Sequence, residues 1–229
     1  MSDRLVGVIP AAGYAERLQP LPCSKELLAI AGRPVIEYLV ERMQVVDCDE
    51  LRIVTRPEKE DVIAYAEEAG ATVILGYPEN INESLAAGLA GLDPDDVALA
   101  GFPDSLWEPL DGFRPLVDAV EEGHEVALGL FEAPGLVGSD FLSFDADGEI
   151  TGFHIKPAEP PSDWMWGCAA ARVRALDGLT DVEWPSLHMA ALVSRGVDLV
   201  GIRLSDQYLD IGTRESLTQA PAVWPAPSF

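Results

Sequence analysis

Up to residue 131, short apolar runs alternate with stretches whose apolar residues recur at helical spacing. Apolar runs of this length predict strands, and spacings of three and four predict helices between them. We expect strands over 4–10, 51–55, 72–75, 97–101 and 126–131, and helices over 35–46, 58–69, 82–92 and 112–122, with Asn82 as an N-cap. Such a rhythm favours a doubly wound, Rossmann-like α/β fold, with a mainly parallel sheet and ligands beyond the carboxyl ends of its strands.

The rhythm changes after residue 131. Residues 141–144 and 150–155 flank an Asp-Gly turn, which is typical of a β-hairpin. Further strands are predicted over 164–173, 197–204 and 207–211, and further helices over 187–195 and 213–220. We therefore expect a small antiparallel β addition to the same domain, and we expect it to hold a second substrate.

The chain has a formal net charge of −24 and only three lysines, Lys25, Lys59 and Lys156. Such a surface repels nucleic acid and anionic membranes, so neither is expected as a partner. No apolar run approaches the ~20 residues of a membrane helix, and the first residues do not resemble a signal peptide, so we expect a cytoplasmic protein. An anionic ligand would need a local cluster of cations. The acidity fits either a high-salt environment or an ordinary acidic surface.

Three small residues, Ala11, Ala12 and Gly13, follow the first predicted strand. Small side chains let backbone amides approach phosphate oxygens closely. The string lacks the Walker and GxGxxG patterns, however, and a tight structural turn is the alternative. Arg17 and Lys25 follow in a proline-rich loop. Each alone is explained as a solvated cation paired with an acid, but as a set they predict a phosphate-binding site.

The same residues open a series of motifs: Pro10-Ala11-Ala12-Gly13, Arg17-Leu18, Lys25-Glu26-Leu27-Leu28, Gly101-Phe102-Pro103-Asp104, Lys156-Pro157, Trp166-Gly167 and Tyr208-Leu209-Asp210-Ile211-Gly212-Thr213. In this order they resemble the sugar-1-phosphate nucleotidyltransferases of the glucose-1-phosphate thymidylyl- and uridylyltransferase type. The resemblance covers residues 5 to about 217. It implies a single nucleotidyltransferase domain over 1–220, with about 1–131 as the nucleotide-binding half, about 132–220 as the sugar-phosphate half and 221–229 as a tail.

The resemblance implies an Mg²⁺-dependent enzyme that joins a nucleoside triphosphate to a sugar-1-phosphate and releases pyrophosphate. It assigns nucleotide binding to the backbone of Ala11, Ala12 and Gly13. Arg17 would balance charge on the leaving pyrophosphate, and Lys25 would bridge phosphates near the reacting atom.

The later motifs supply the other groups that the resemblance implies. Asp104 and Asp210 match the metal carboxylates, Lys156 the cation for the sugar phosphate, and Gly167 a residue lining the sugar pocket. Two carboxylates together with substrate phosphates are a typical magnesium environment. By residue type alone, Asp104 is also explained as a turn residue and Asp210 as a charge at a helix N-terminus. A homo-oligomer is left open.

Four positions depart from the family pattern. Ala15 and Glu16 stand where the family has Gly and Thr, and Ile155 stands where a Glu often binds a sugar hydroxyl. Glu83 falls about where the family has Gln. Because a carboxylate only accepts hydrogen bonds, it favours guanine, cytosine or adenine over thymine and uracil, unless it serves the start of a helix. These departures leave two alternatives open, a cytidylyltransferase for a non-sugar phosphate and a catalytically weak nucleotide- or sugar-phosphate-binding sensor.

Overall fold

The computed structural model describes residues 3–134, 136 and 138–224. Its strands are β1 Leu5–Pro10, β2 Ala29–Ile30, β3 Arg33–Pro34, β4 Glu50–Thr55, β5 Thr72–Leu75, β6 Val97–Gly101, β7 Ser105–Trp107, β8 Val126–Glu132, β9 Phe141–Phe144, β10 Ile150–His154, β11 Trp164–Arg172, β12 Leu199–Ser205 and β13 Tyr208–Asp210. Its α-helices are α1 Val35–Val45, α2 Glu60–Glu68, α3 Ile81–Leu89, α4 Arg114–Glu122, α5 Pro185–Ser194 and α6 Arg214–Val223. Two of the short 3-10 helices, Glu16–Leu18 and Lys25–Leu27, lie in the loop that follows β1.

Strand β1 lies in the middle of a parallel group, between β6 and β4, and β4 pairs in turn with β5. Residues Val6–Pro10 of β1 are all buried, as expected for a strand that is covered on both faces. Because β1 and β6 run in the same direction, the loops that follow Pro10 and Gly101 open at one edge of the sheet.

The antiparallel part of the sheet is built around β11. This strand pairs antiparallel with β6 and β8, and β12 then adds to β8 in parallel. The predicted hairpin is present as β9 and β10, and it joins β11 where Met165 lies opposite Phe141. The predicted α/β fold with a small antiparallel addition is confirmed.

Helices cover both faces of the sheet. Neighbouring residues of a strand point to opposite faces, and β1 shows the division clearly. Ile9 packs in a core with Leu39 of α1 and with residues of α2 and α4. Val8 packs in a separate cluster with Leu85 of α3. Helix α5 packs against residues of β8 and β11 in a further apolar cluster. The fold is therefore doubly wound, as predicted.

A small second sheet joins two distant parts of the chain. Strand β7, which follows β6 closely, pairs antiparallel with β13, so that Ser105 lies opposite Asp210. The two-stranded sheet of β2 and β3 lies between the first loop and α1. Among the described residues, no helix is long and apolar enough to cross a membrane.

Two predicted boundaries are corrected. Asn82 is not an N-cap: α3 begins one residue earlier, and the Asn80 side chain accepts a hydrogen bond from the Glu83 amide. Asn82 is instead buried and donates to the carbonyl oxygen of Val182 at 2.6 Å. At the other end of the chain, α6 continues to Val223, past the predicted end at residue 220. Of the predicted tail, residues 225–229 lie outside the described residues.

Candidate active site

Two cationic side chains hold the turn after β1 through hydrogen bonds to its carbonyl oxygens. The carbonyl oxygens of Ala11 and Gly13 accept hydrogen bonds from Lys59 Nζ at 2.7 and 3.1 Å, and the carbonyl of Ala12 accepts one from Arg56 Nε at 2.9 Å. Sequence reasoning did not select Arg56 or Lys59 for the site. The rarity of lysine in this chain was the signal that could have singled out Lys59.

The loop after the turn keeps a left-handed residue although the family's glycine is absent. Ala15 has φ 52° and ψ 45°, and the 3-10 helix that carries Arg17 follows directly. Leu18 is buried and anchors this helix, while Glu16 is exposed and lines the cleft beside the turn. The departure at Ala15 therefore changes the energetic cost of the turn rather than its left-handed conformation.

Lys25 and Asp104 form an ion pair across the edge of the sheet. Lys25 Nζ lies 2.6 Å from Asp104 Oδ2, and only 21% and 14% of the two side chains are exposed. Burial opposes both charges, but the attraction between them prevails, so it raises the pKa of Lys25 and lowers the pKa of Asp104. Both groups are therefore charged at neutral pH.

Asp210 joins this pair through the β7–β13 sheet. The Ile211 amide donates to the carbonyl of Asp104 at 2.8 Å, and the hydroxyls of Ser105 and Tyr208 lie 2.9 Å apart. These contacts hold two carboxylates, which are about a hundred positions apart in sequence, at one place. Burial and the charge of Asp104 raise the pKa of Asp210 to about 6.

Arg17 lies near Asp210. A Cβ atom on Gly212 would collide with Asp210 Oδ1 and lie 3.4 Å from Arg17 Nη2, so the Gly212 backbone closely approaches both side chains. The structure thus brings together four of the predicted residues, Arg17, Lys25, Asp104 and Asp210. Two cations and two carboxylates beside a small-residue turn can bind phosphates and a divalent cation. Within the described chain, no group of three or more His, Cys, Asp or Glu is placed to bind a metal ion.

A cleft of about 320 Å³ lies between the turn and the start of α3. Ala12, Gly13, Lys25, Arg56, Asn80 and Ser84 are among the residues that line it. Glu83 has a structural role at this helix start, because its carboxylate accepts hydrogen bonds from the Glu79 amide at 2.8 Å and from Asn80 Nδ2 at 3.1 Å. Base recognition by Glu83 stays a prediction.

Lys156 has different neighbours from the four clustered residues. Its ammonium group lies 3.6 Å from the centre of the Trp184 ring, and its amide donates to Asp140 Oδ1 at 3.2 Å. Asp140 also accepts from Ser186 Oγ at 2.5 Å, and Ser186 accepts from the buried Trp166 indole at 2.8 Å. This chain of hydrogen bonds runs from β11 to the loop of Lys156.

Gly167 of β11 faces the β7–β13 sheet. A Cβ atom here would lie 2.7 Å from Tyr208 Cε2 and 2.9 Å from Phe131 Cε2. The absent side chain gives room to Tyr208, two residues before Asp210. A place for Gly167 in a sugar pocket stays a prediction.

A sequence model described as the MobA-like NTP transferase domain matches residues 7–129. That span is more than half of the chain, and it contains the turn, Lys25 and Asp104. The chain belongs to this family. The part of the chain that supplies Asp210 and Lys156 lies beyond the matched span.

Two relatives extend the similarity. The low-salt glycan biosynthesis nucleotidyltransferase Agl11 of Haloferax volcanii is 25% identical over 169 residues, which are 69% of this chain and 46% of that protein. The chain thus spans about half the length of this relative. Glucose-1-phosphate thymidylyltransferase of Neisseria meningitidis serogroup A is 21% identical over 232 residues, 93% of this chain and 80% of that protein. The resemblance to sugar-1-phosphate nucleotidyltransferases is confirmed.

Solved structures agree on the fold. A protein assigned as a glucose-1-phosphate thymidylyltransferase from Bacillus anthracis, in complex with a sucrose, superposes with a TM-score of 0.82 and 21% identity, over 98% of this chain and 97% of its own. A UDP-glucose pyrophosphorylase complexed with UDP-glucose also has a TM-score of 0.82, with 16% identity over 97% and 98% of the two chains. At these identities the likeness establishes the nucleotidyltransferase fold alone.

Proposed function

We propose that this NTP transferase joins a nucleoside triphosphate to a sugar-1-phosphate, forming an NDP-sugar and pyrophosphate. The observation that carries the proposal is the cluster of Arg17, Lys25, Asp104 and Asp210 beside the turn Ala11–Gly13. Family membership and the two nucleotidyltransferase relatives support the same reaction class.

In the proposed reaction, a phosphate oxygen of the sugar-1-phosphate attacks the α-phosphorus of the triphosphate. The bond from that phosphorus to the bridging oxygen breaks, and the electron pair leaves with pyrophosphate. A phosphate monoester is already largely ionised at pH 7, because its second pKa is ~6, so the reaction needs no general base. The enzyme's contribution is alignment and charge neutralisation in an in-line displacement.

The chain's own residues divide these tasks. The backbone amides of the turn would bind the triphosphate, and Arg17 would balance the growing charge on pyrophosphate. Lys25, which is held by Asp104 at 2.6 Å, would bridge phosphates close to the reacting atom. Lys156 would hold the phosphate of the second substrate, with Trp184 beneath its ammonium group.

Asp104 and Asp210 fit Mg²⁺. Magnesium prefers carboxylate oxygens, and it is often held by one or two carboxylates together with substrate phosphates. The raised pKa of Asp210, about 6, reflects burial and the repulsion of Asp104, and a divalent cation held by Asp104 and Asp210 would relieve that repulsion. When bound, Mg²⁺ neutralises negative charge at the reacting phosphates.

Product analysis tests the proposal. The protein is incubated with Mg²⁺, each of the common nucleoside triphosphates, and either a sugar-1-phosphate or choline phosphate, and the products are identified by mass spectrometry. We expect an NDP-sugar with equimolar pyrophosphate. If a nucleotide–choline conjugate is the only product, the second substrate is a non-sugar phosphate, which is the alternative that Ile155 keeps open. No coupled product from any pair would contradict the proposed reaction.

A further inference from the structure

Lys59 is the least exposed of the three lysines, and its contacts are unusual. Its side chain is 8% exposed, and the residue directly precedes α2. The ammonium group has three donors, and it has three close acceptors: the carbonyl oxygen of Ala11 at 2.7 Å, that of Gly13 at 3.1 Å, and Glu26 Oε2 at 2.7 Å. All of its hydrogen-bonding capacity is thus directed at the loop that follows β1.

Arg56 binds the carbonyl that Lys59 leaves free. Its Nε donates to the Ala12 carbonyl at 2.9 Å, and its Nη2 donates to the Pro78 carbonyl at 2.6 Å. Three consecutive carbonyls of the turn therefore face cations from one segment. In a planar trans peptide the N–H points opposite to the C=O. Turning the carbonyls of Ala11 and Ala12 toward these cations therefore turns the next two amides away from them.

Glu26 links this arrangement to Lys25. Glu26 is fully buried, and it stands next to Lys25 in the 3-10 helix Lys25–Leu27. Its bond to Lys59 therefore joins the turn to the segment that carries the Lys25–Asp104 ion pair. The buried ammonium group of Lys59 thus bonds the first and last carbonyls of the turn, and through Glu26 it is tied to the segment that carries a second cation.

Stability alone does not explain such a pair. Replacing a buried ion pair with apolar side chains of similar size is often neutral or stabilising, because burying charges costs desolvation energy. We propose that Lys59 is a positioning residue, which, with Glu26, holds the turn Ala11–Gly13 and Lys25 in the geometry that binds a polyphosphate. This inference rests on the proposed function, since it takes the polyphosphate to be that of the nucleoside triphosphate.

The test measures affinity for inorganic tripolyphosphate by calorimetry and the free energy of unfolding in urea. Lys59→Met breaks the pair, and the double variant Lys59→Met/Glu26→Met replaces both charges with apolar groups. Arg195→Met is the matched control, because it removes one positive charge from an exposed position on α5's C-terminal side. We expect the double variant to fold with near wild-type stability and to bind tripolyphosphate at least tenfold more weakly, with the control unchanged.

The same variants separate this inference from the proposed reaction. If the wild type makes NDP-sugar, the double variant should raise KM for the triphosphate while KM for the sugar-1-phosphate stays within about twofold. Absence of product from the wild type would overturn the reaction but leave the tripolyphosphate comparison valid. A stable double variant with wild-type affinity, or a wild type that does not bind tripolyphosphate, would overturn the role of Lys59.

Discussion

Ala15 adopts a left-handed conformation in the loop beside the candidate active site, with φ 52°. For an L-residue this conformation costs roughly 1–2 kcal/mol, although glycine loses more backbone entropy on folding, roughly 0.5–1 kcal/mol. Ala15→Gly should therefore raise the free energy of unfolding by up to about 1 kcal/mol in urea titrations. Gly13→Ala is the matched control, since Gly13 is not left-handed and a Cβ there meets nothing within 4 Å. An Ala15→Gly variant that is less stable than the wild type would show that the left-handed conformation of Ala15 is not strained.

Asp210 should lower stability at neutral pH. Its pKa in the folded protein is about 6, above the ordinary 3.8, because of burial and the charge of Asp104. The folded state therefore holds a proton that the unfolded chain releases, and the destabilisation is present above pH 6 and absent below about pH 4. Asp210→Asn should be roughly 1–2 kcal/mol more stable at pH 8, since one pKa unit is about 1.4 kcal/mol and partial exposure reduces the effect.

Asp104→Asn provides the opposite control. Its ion pair with Lys25 lowers the pKa of Asp104, so this carboxylate contributes stability above its ordinary pKa, and that stability is lost as the pH falls. The variant should be less stable than the wild type at pH 8. If Asp210→Asn raises the free energy of unfolding by the same amount at pH 4 and at pH 8, the raised pKa of Asp210 is contradicted.

At the scale of residues, the sequence predicted the clustered charges but not their support. Arg17, Lys25, Asp104 and Asp210 belong to motifs whose order along the chain is informative. Lys59 belongs to no motif. The rarity of lysine distinguishes it, but its role depends on backbone carbonyl groups, whose positions no sequence pattern reports. The structure agrees with one of the two interpretations of Glu83, because its carboxylate accepts hydrogen bonds at the start of α3.

At the scale of the elements, the pairing of β7 with β13 controls where Asp210 lies. Gly167 of β11 packs against Tyr208 of β13. Gly167→Ala would put a Cβ 2.7 Å from the Tyr208 ring and should cost about 1–3 kcal/mol of stability, the usual range for overpacking. Displacement of Tyr208 should also weaken the proposed Mg²⁺ binding, measured by calorimetry. Gly76→Ala is the control, because its Cβ would meet only Pro78, at 3.9 Å. Equal behaviour of the two variants would show that β13 does not depend on this contact.

The predictability of the elements follows their length and burial. The strands β1, β4, β5 and β6 are short segments rich in Val, Ile and Leu, and the sequence located them within a residue or two. Strand β7 has three residues and pairs with β13 from the far end of the chain. Local patterns cannot predict such a pairing, because it depends on where the whole sheet brings the two loops. The start of α3 was misplaced because Asn80 and Asn82 are equally good N-caps by residue type.

For the whole molecule, the net charge of −24 implies strong repulsion between surface carboxylates. Salt screens this repulsion over ~3 Å at 1 M instead of ~10 Å at 0.1 M. Raising KCl from 0.1 to 2 M at pH 7.5 should therefore stabilise the protein by about 1 kcal/mol or more. For a chain of this size, 1 kcal/mol raises the thermal midpoint by about 2–4 °C. The effect should shrink near pH 4.2, where the net charge approaches zero. A midpoint that does not respond to KCl at pH 7.5 would exclude charge repulsion as a significant term.

The central claim is that the carboxylates joined by β7 and β13 serve nucleotidyl transfer, and pyrophosphate release tests it most directly. The wild type, Asp104→Ala and Asp210→Ala are compared with Mg²⁺, a nucleoside triphosphate that the wild type uses, and a sugar-1-phosphate. Loss of either proposed metal carboxylate should remove several kcal/mol of charge stabilisation, so we predict a fall of more than about 100-fold in rate for each variant, with both variants folded. Full activity in both variants would contradict the account.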